Sequence, residues 1–265
     1  MSVPLRRSPL RWLLLAALAL AGLVAAEPVV RIGTGDWVPY VDQQRADGGA
    51  LARLVSAVFA AAGYRVEYSF YPWDRNVLML QQGALDAIMP YSCSPMRLDY
   101  GVCSEPLVRG EIVLFHRKDL PFDWQRIEDL GPYRVATTLG YSYGPQFDQA
   151  QQAGQLQVEQ NSKEDTAFRL LALGRVDLHP QDRAVGYAML RRLFSERERR
   201  AITHHPRFLN TEPLRLLFRK GDPQAEALLL RFNRELARFA ERGDLRSLQR
   251  ALYTGDPDRW RPGAP

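Results

Sequence analysis

Apolar residues at Leu51, Leu54, Val55, Val58, Phe59 and Ala62 fall on one face of a helix at the i, i+3, i+4, i+7, i+8 and i+11 positions, with Gly63 placed to cap it. On either side the apolar period drops to two. Residues 29–33 read as a short apolar strand, and Val66, Tyr68 and Phe70 alternate as another. A shorter helix from about Asp74 to Gln82 ends at Gly83 and leads to a strand over residues 85–89. The second half repeats this grammar. Residues 133–138 read as a strand running into the loop 139–144, and Ser162-Lys163-Glu164-Asp165 has the form of a capping box opening a helix to Leu173. Residues 176–178 and 214–218 follow as strands. Ala225, Leu228, Leu229, Phe232, Leu236 and Phe239 line one face of a long helix, which Gly243 breaks before a last short helix near residues 245–252. Strands alternating with helices predict an α/β fold with mainly parallel sheets and crossover helices.

One string occurs twice within this alternation: Leu80-Gln81-Gln82-Gly83-Ala84-Leu85-Asp86-Ala87 and Ala172-Leu173-Gly174-Arg175-Val176-Asp177-Leu178. Polar groups follow both copies, in Tyr91-Ser92-Cys93-Ser94-Pro95-Met96-Arg97 and in His179-Pro180-Gln181-Asp182. Open α/β sheets present ligand-binding groups just outside the carboxyl ends of their strands. Two such units facing each other would offer one arginine and one aspartate to whatever lies between them, which suits a small zwitterion.

The N-terminus bears on where the chain works. Arg6, Arg7 and Arg11 precede an uncharged apolar run of 13 residues, 12–24, followed by Ala25-Ala26-Glu27. A membrane-spanning helix needs roughly 20 apolar residues. A basic start, a short apolar core and small residues at the cut read as a secretory signal peptide over residues 1–26, cleaved after Ala26; the alternative is a retained anchor. No cysteine follows the run to carry a lipid. The net charge is +5, and losing three arginines with the leader brings the mature chain near +2. The basic charge is therefore partly a targeting feature, and with no basic stripe bearing interleaved aromatics, nucleic-acid binding is not supported. The arginine-rich stretch 191–200 has interspersed glutamates and reads as a solvated helix end and loop.

About 239 residues remain, ample for a sizeable core and two lobes. Cys93 and Cys103 stand ten apart, and an exported, oxidising setting allows a disulfide, the alternative being two buried thiols. Histidines occur only at 116, 179, 204 and 205, without a His-Glu-x-x-His spacing, and no cysteine pair has zinc spacing. His204-His205 reads as an adjacent pair in a surface loop. No metal and no cofactor are expected, and with no Walker-type glycine loop any nucleotide hydrolysis belongs to a partner. The tail after Tyr253, with Pro257, Pro262 and Pro265, is expected to be loosely ordered.

Five strings stand in an order that resembles one family: Gly35-Asp36-Trp37-Val38-Pro39-Tyr40; Gly83-Ala84-Leu85-Asp86-Ala87; Ser94-Pro95-Met96-Arg97 with Cys103-Ser104-Glu105-Pro106-Leu107; Gly174-Arg175-Val176-Asp177 with Asp182; and Phe218-Arg219-Lys220-Gly221-Asp222. The chain resembles the periplasmic solute-binding proteins of polar amino-acid ABC transporters, the bacterial extracellular solute-binding family 3. The resemblance implies a two-lobed α/β periplasmic-binding-protein-like fold of type II, with a ligand cleft between lobes joined by a hinge. Lobe 1 would be residues 27–110 with 214–256, lobe 2 residues 111–213, and 257–265 a loose tail. It further implies a periplasmic monomer that hands a polar amino acid, or a related zwitterion, to the membrane subunits of an ABC permease.

The same resemblance assigns a site. Arg97 would take the ligand carboxylate through a planar, always-charged fork. Ser92 would add a hydroxyl, Ser142 a backbone N–H, and Asp182 would bind the α-amino group. Trp37 and Tyr40 would flank the ligand side chain or else serve as core aromatics, and Tyr91, Tyr141 and Tyr143 would rim the cleft or face solvent. Pro90, Met96 and His179-Pro180-Gln181 depart from the family pattern and leave the ligand open. Readings from other classes also stay open: an exported dehydratase acting on cyclic acids, a sensory protein presenting ligand to a membrane receptor, or a scaffold whose cleft has lost binding.

Overall fold

The apolar face over residues 51–62 is the one that packs, with Leu51, Leu54, Val55, Val58 and Phe59 all completely buried. The computed structural model describes residues 27–139, 141–254 and 256–263, so the leader expected over 1–26 lies outside the described residues. In chain order the elements are β1 (Val29–Thr34), α1 (Ala50–Ala61), β2 (Arg65–Phe70), α2 (Trp73–Gln81), β3 (Ala87–Tyr91), α3 (Pro95–Leu98), β4 (Gly101–Cys103) and β5 (Val108–Arg117). A 3-10 turn (Ile127–Leu130) precedes β6 (Arg134–Thr138), α4 (Pro145–Gln152), β7 (Gln157–Asn161), α5 (Glu164–Ala172), β8 (Leu178–Asp182), α6 (Arg183–Leu193), α7 (Glu196–Arg199), β9 (Ile202–Arg219), α8 (Pro223–Glu241) and α9 (Asp244–Thr254).

The nine strands among the described residues form one hydrogen-bonded path, β2-β1-β3-β9-β5-β8-β6-β7, with β4 also on β9. It is mixed rather than mainly parallel. Strands joined through helices pair in parallel, β1 with β2 and β3, and β6 with β7 and β8. Between these outer groups β9 runs antiparallel to β3, β4 and β5, and β5 runs antiparallel to β8. No parallel crossover is needed there, because the chain passes between the two groups along β5 and returns along β9.

Strands covered on both faces alternate between two packed layers. In β3, Ala87 and Met89 join the core formed with α1 and α8, while Ile88 joins Leu80, Leu85 and Leu217 on the opposite side. In β5, Val113 and Phe115 face that first core, while Ile112 and Leu114 join Trp124, Leu130, Tyr143 and Phe147.

Several boundaries differ from the sequence expectations. β9 has 18 residues where only 214–218 were expected, and His204 and His205 lie within it rather than in a loop. Pro206, Pro213 and a run of polar side chains disguise the strand, which pairs with β5 through two register shifts. β8 contains His179-Pro180-Gln181-Asp182, the polar segment expected to follow a strand over 176–178. All five of its residues are buried, because it pairs with β5 from His116↔Leu178 to Ile112↔Asp182. The capping box expected at Ser162 does not form; Lys163 is the N-cap of α5, with no side-chain bond. A capping box stands instead at Ser195 and Glu198, inside the arginine-rich stretch.

The repeated string does one structural job twice. Gly83 and Gly174 turn the chain at φ of 74° and 69°, a region that favours glycine. Asp86 then accepts from the backbone N–H, Nε and Nη2 of Arg31, and Asp177 accepts the same three donors of Arg134. Each aspartate thus ties its strand to the first strand of its own unit.

The tail expected to be loose is anchored. Trp260 is buried and donates to Ser247 Oγ at 2.8 Å, Arg53 donates to the Pro257 carbonyl, and Gly263 N–H donates to Asp244 at 2.6 Å. Cys93 and Cys103 are disulfide-bonded with Cα atoms 6.3 Å apart, closing the loop that carries α3. Closing a loop of this length restricts the unfolded chain by about 3 kcal/mol. The Cys93→Ser/Cys103→Ser double variant should therefore lose about 3 kcal/mol of unfolding free energy in urea titration; an unchanged midpoint would contradict a stabilising bond.

Candidate functional site

At the end of β1 the chain must pass a tryptophan. A Cβ on Gly35 would stand 2.7 Å from the Trp73 ring, so only glycine lets that indole pack at the first position of α2. Asn76, fully buried in α2, donates to the Thr34 and Tyr71 carbonyls at 3.0 and 3.2 Å, fixing α2 beneath the end of β1. β3 ends at Pro90 and Tyr91, and its pairing with β9 shifts between Ile88 and Tyr91, across a proline that has no N–H to donate. The Tyr91 ring meets Trp73 edge-on at 5.6 Å, and its hydroxyl donates to the Trp73 carbonyl at 3.0 Å.

These segments wall a cavity of about 380 Å³ lined by Trp37, Trp73, Asp74, Val77, Pro90, Tyr91, Ser92, Met96, Arg97, Tyr100, Tyr141, Ser142, Glu212 and Leu214. The guanidinium of Arg97 lies 5.0 Å from the centre of the Tyr91 ring, and its Nη1 donates to the Ser92 carbonyl and hydroxyl oxygens at 3.0 and 2.5 Å. From the other side Tyr141 enters the wall with its hydroxyl held by Glu164 of α5. Glu212 and Leu214 come from β9.

The charges in this wall stand apart from most others in the protein. Arginines and acids elsewhere pair freely, as in Arg31–Asp86, Arg53–Asp47, Arg134–Asp177 and Arg183–Glu111. Arg97, Asp74 and Glu212 form no ion pair among the described residues. Burial pushes the Glu212 carboxyl above the ordinary carboxylate range, opposed by the charge of Arg97 and by Ser92. The cavity therefore offers one arginine fork, two unpaired carboxylates and five aromatic rings in a confined space.

Of the residues expected to bind ligand, Trp37, Tyr91, Ser92, Arg97 and Ser142 line the cavity. Tyr40 and Asp182 are not among its lining residues. Asp182 is completely buried as the N-cap of α6: Oδ1 accepts from Ala184 N and Val185 N at 2.9 and 3.2 Å, and Oδ2 accepts from Glu111 N at 3.0 Å. The Tyr40 hydroxyl completes this set, 3.2 and 3.1 Å from the two oxygens. Tyr40, also completely buried, stacks on Trp37 at 4.6 Å and so supports the cavity wall from behind. Tyr143 is a core residue whose hydroxyl accepts from Thr138 N, whereas Tyr141 faces the cavity.

Several lining residues carried no signal strong enough to single them out. Asp74 read as the start of an ordinary helix, and Trp73 just before it was not singled out. Glu212 was legible in principle: alternation through Leu214, Leu216 and Phe218, carried back two residues, puts it on their face. Ser142 also lies in a Gly-x-Ser-x-Gly string, Gly140 to Gly144, which resembles a nucleophile elbow. Its hydroxyl donates to Asp148 at 2.5 Å and has no histidine partner among the described residues. Among those residues there is also no metal-binding group of three or more His, Cys, Asp or Glu, and no helix is long and apolar enough to cross a membrane.

Solved proteins share this architecture. An arginine-binding protein from T. maritima, solved as a mutant, superposes with a TM-score of 0.68 at 20% identity, covering 85% of this chain and 95% of that one. A histidine kinase sensor domain similar to periplasmic binding proteins gives 0.70 at 23% identity over 86% and 96%. An ancestral amino-acid-binding protein, described as a precursor of cyclohexadienyl dehydratase, gives 0.62 at 24% identity over 93% and 99%. The fold is that of a two-lobed periplasmic-binding protein of type II. Residues 30–254 match the family of bacterial extracellular solute-binding proteins, family 3, and the chain belongs to that family. No curated protein matches it.

Two buried groups on β8 titrate in opposition. Burial pushes the Asp182 carboxyl up to about 6 and holds the His179 imidazole down at about 4, although His179 Nδ1 lies 2.9 Å from the Ala136 carbonyl. Native Asp182 keeps its proton longer than the unfolded chain, so its contribution is fully present below the ordinary carboxylate value and lost as pH rises through about 6. Native His179 gives up its proton sooner, so its contribution is present above 6.5 and lost as pH falls through about 4. Between these limits the two slopes oppose. Asp182→Asn removes the first only, so its stability should climb more steeply with pH from 4 to 6 than that of the wild type, as read from urea midpoints. Parallel curves would contradict the assignment.

Proposed function

We propose that this protein is exported, captures a polar amino acid or a related small zwitterion in the cavity, and delivers it to an ABC permease. The observation that carries this is the Arg97 guanidinium, set in an aromatic wall and left without an ionic partner among the described residues. An arginine held open in a confined site is suited to bidentate recognition of a carboxylate. Ser142 supports the same role: it lines the cavity and its N–H has no backbone acceptor among the described residues, so it could add a donor. Trp37, Trp73 and Tyr91 supply flat faces for the rest of the ligand.

Lobe 1 would comprise residues 27–110 with 214–256 and lobe 2 residues 111–213, so that β5 and β9 form the two crossings. Rotation about these crossings would close the lobes over the ligand. Export is supported by the family's extracellular character, by the leader-like sequence of residues 1–26, and by a disulfide that suits an oxidising compartment. The T. maritima relative is an arginine-binding protein, which makes basic amino acids the first compounds to test. A sensory role is the second reading, favoured by the likeness to a histidine kinase sensor domain. The ancestral relative described as a dehydratase precursor makes turnover of cyclohexadienyl acids worth assaying.

The test is a thermal-shift screen of the mature chain after unfolding and refolding to strip carried-over ligand. Its panel holds L- and D-amino acids, opines and cyclohexadienyl acids. A true ligand at about 100 times its Kd should stabilise by about 2.7 kcal/mol. Arg97→Ala should weaken that ligand by about tenfold or more, since a hydrogen bond to a charged group is worth about 1.5–3 kcal/mol. Silence across the panel, or full affinity in Arg97→Ala, would contradict uptake of a carboxylate-bearing solute.

A further inference from the structure

Asp182 has little capacity left for a ligand. Both of its oxygens are engaged by three backbone N–H groups and the Tyr40 hydroxyl, and no part of the side chain is exposed. The carboxylates that do face the cavity are Glu212 and Asp74, neither of them ion-paired among the described residues. Asp74 is exposed at the first turn of α2, where solvent screens it, whereas Glu212 is partly buried on β9. Glu212 lines the same cavity as Arg97 and Ser92, yet it closes no ion pair with Arg97 among the described residues.

A ligand carboxylate seated on Arg97 would therefore arrive beside a second carboxylate. Like charges sharing a confined site disfavour each other, and an opposite charge within a few ångströms removes that penalty. A plain carboxylic acid brings the repulsion and nothing to offset it. A ligand with its own ammonium or guanidinium neutralises Glu212 as it enters, and the Trp73 indole that lines the cavity adds an aromatic group for a cation.

We propose that Glu212 is the cation-receiving carboxylate of this cavity, so that it selects zwitterions and rejects plain carboxylates, with Asp182 kept for structure. The proposal rests on the solute-binding reading above and adds a specificity residue to it. The backbone of the ligand need not be that of an α-amino acid; a carboxylate and a cation that span Arg97 and Glu212 suffice.

The experiment titrates three probes, L-arginine, 5-aminopentanoate and pentanoate, into the refolded mature chain, its Glu212→Gln variant and its Asp182→Asn variant. Circular dichroism and thermal unfolding first establish that each variant is folded. The wild type should bind at least one cationic probe about 100-fold or more tighter than pentanoate, and Glu212→Gln should narrow that ratio by about tenfold or more by weakening the cationic probe, strengthening pentanoate, or both. Asp182→Asn should change the ratio less than Glu212→Gln does. An unchanged ratio in a folded Glu212→Gln protein, or a larger collapse in Asp182→Asn, overturns the role of Glu212 while solute binding stands. A wild type that binds none of the three probes also overturns it. The solute-binding reading itself falls if the wider panel of compounds is silent too, or if Arg97→Ala keeps full affinity.

Discussion

The cavity depends on the pairing of β9, whose 18 residues are shared between two groups of strands. From Ile202 to Leu214 it is laddered to β5, and from Arg215 to Arg219 to β3 and β4. A strand changing partners leaves its side chains at the changeover facing the gap between the groups. Glu212 and Leu214 stand there, and both line the cavity. The site is thus placed by backbone hydrogen bonds along one continuous strand, while loops and short helices, among them the disulfide-closed segment with Arg97, supply most of its remaining chemistry.

On the proposed reading, structural and binding residues differ in whether their charge is already met within the protein. Asp86 and Asp177 each face a dedicated arginine, and Asp182 is filled by backbone donors and Tyr40. A buried carboxylate so provided for is stable as it is and gains little from a ligand. Arg97, although its Nη1 donates to Ser92, and Glu212 have no ionic partner among the described residues, and a matched ligand would supply the missing charges.

Local periodicity made much of the fold legible. Helix α1 and the long helix α8 came from apolar spacing, and the family resemblance rested on short strings around Trp37, Arg97 and Asp182. The strands that were missed or shortened, β5, β7, β8 and most of β9, owe their form to pairing with distant segments, which overrides the local signal of Pro180, Pro206 and Pro213. The site was legible in the same proportion. Arg97, Ser92 and Tyr91 sit near one another in sequence and were found together. The occupation of Asp182 by Tyr40, 142 residues away, is a long-range fact that no local pattern encodes, whereas the inward face of Glu212 follows from carrying the alternation of Leu214, Leu216 and Phe218 back two residues.

The most direct measurement is a crystal structure of the mature chain saturated with its tightest ligand from the thermal-shift screen. The ligand should lie in the cavity, with its carboxylate at hydrogen-bond distance, about 2.7–2.9 Å, from Arg97 and its cation facing Glu212. A ligand whose carboxylate avoids Arg97, or one seated elsewhere in the protein, would contradict it.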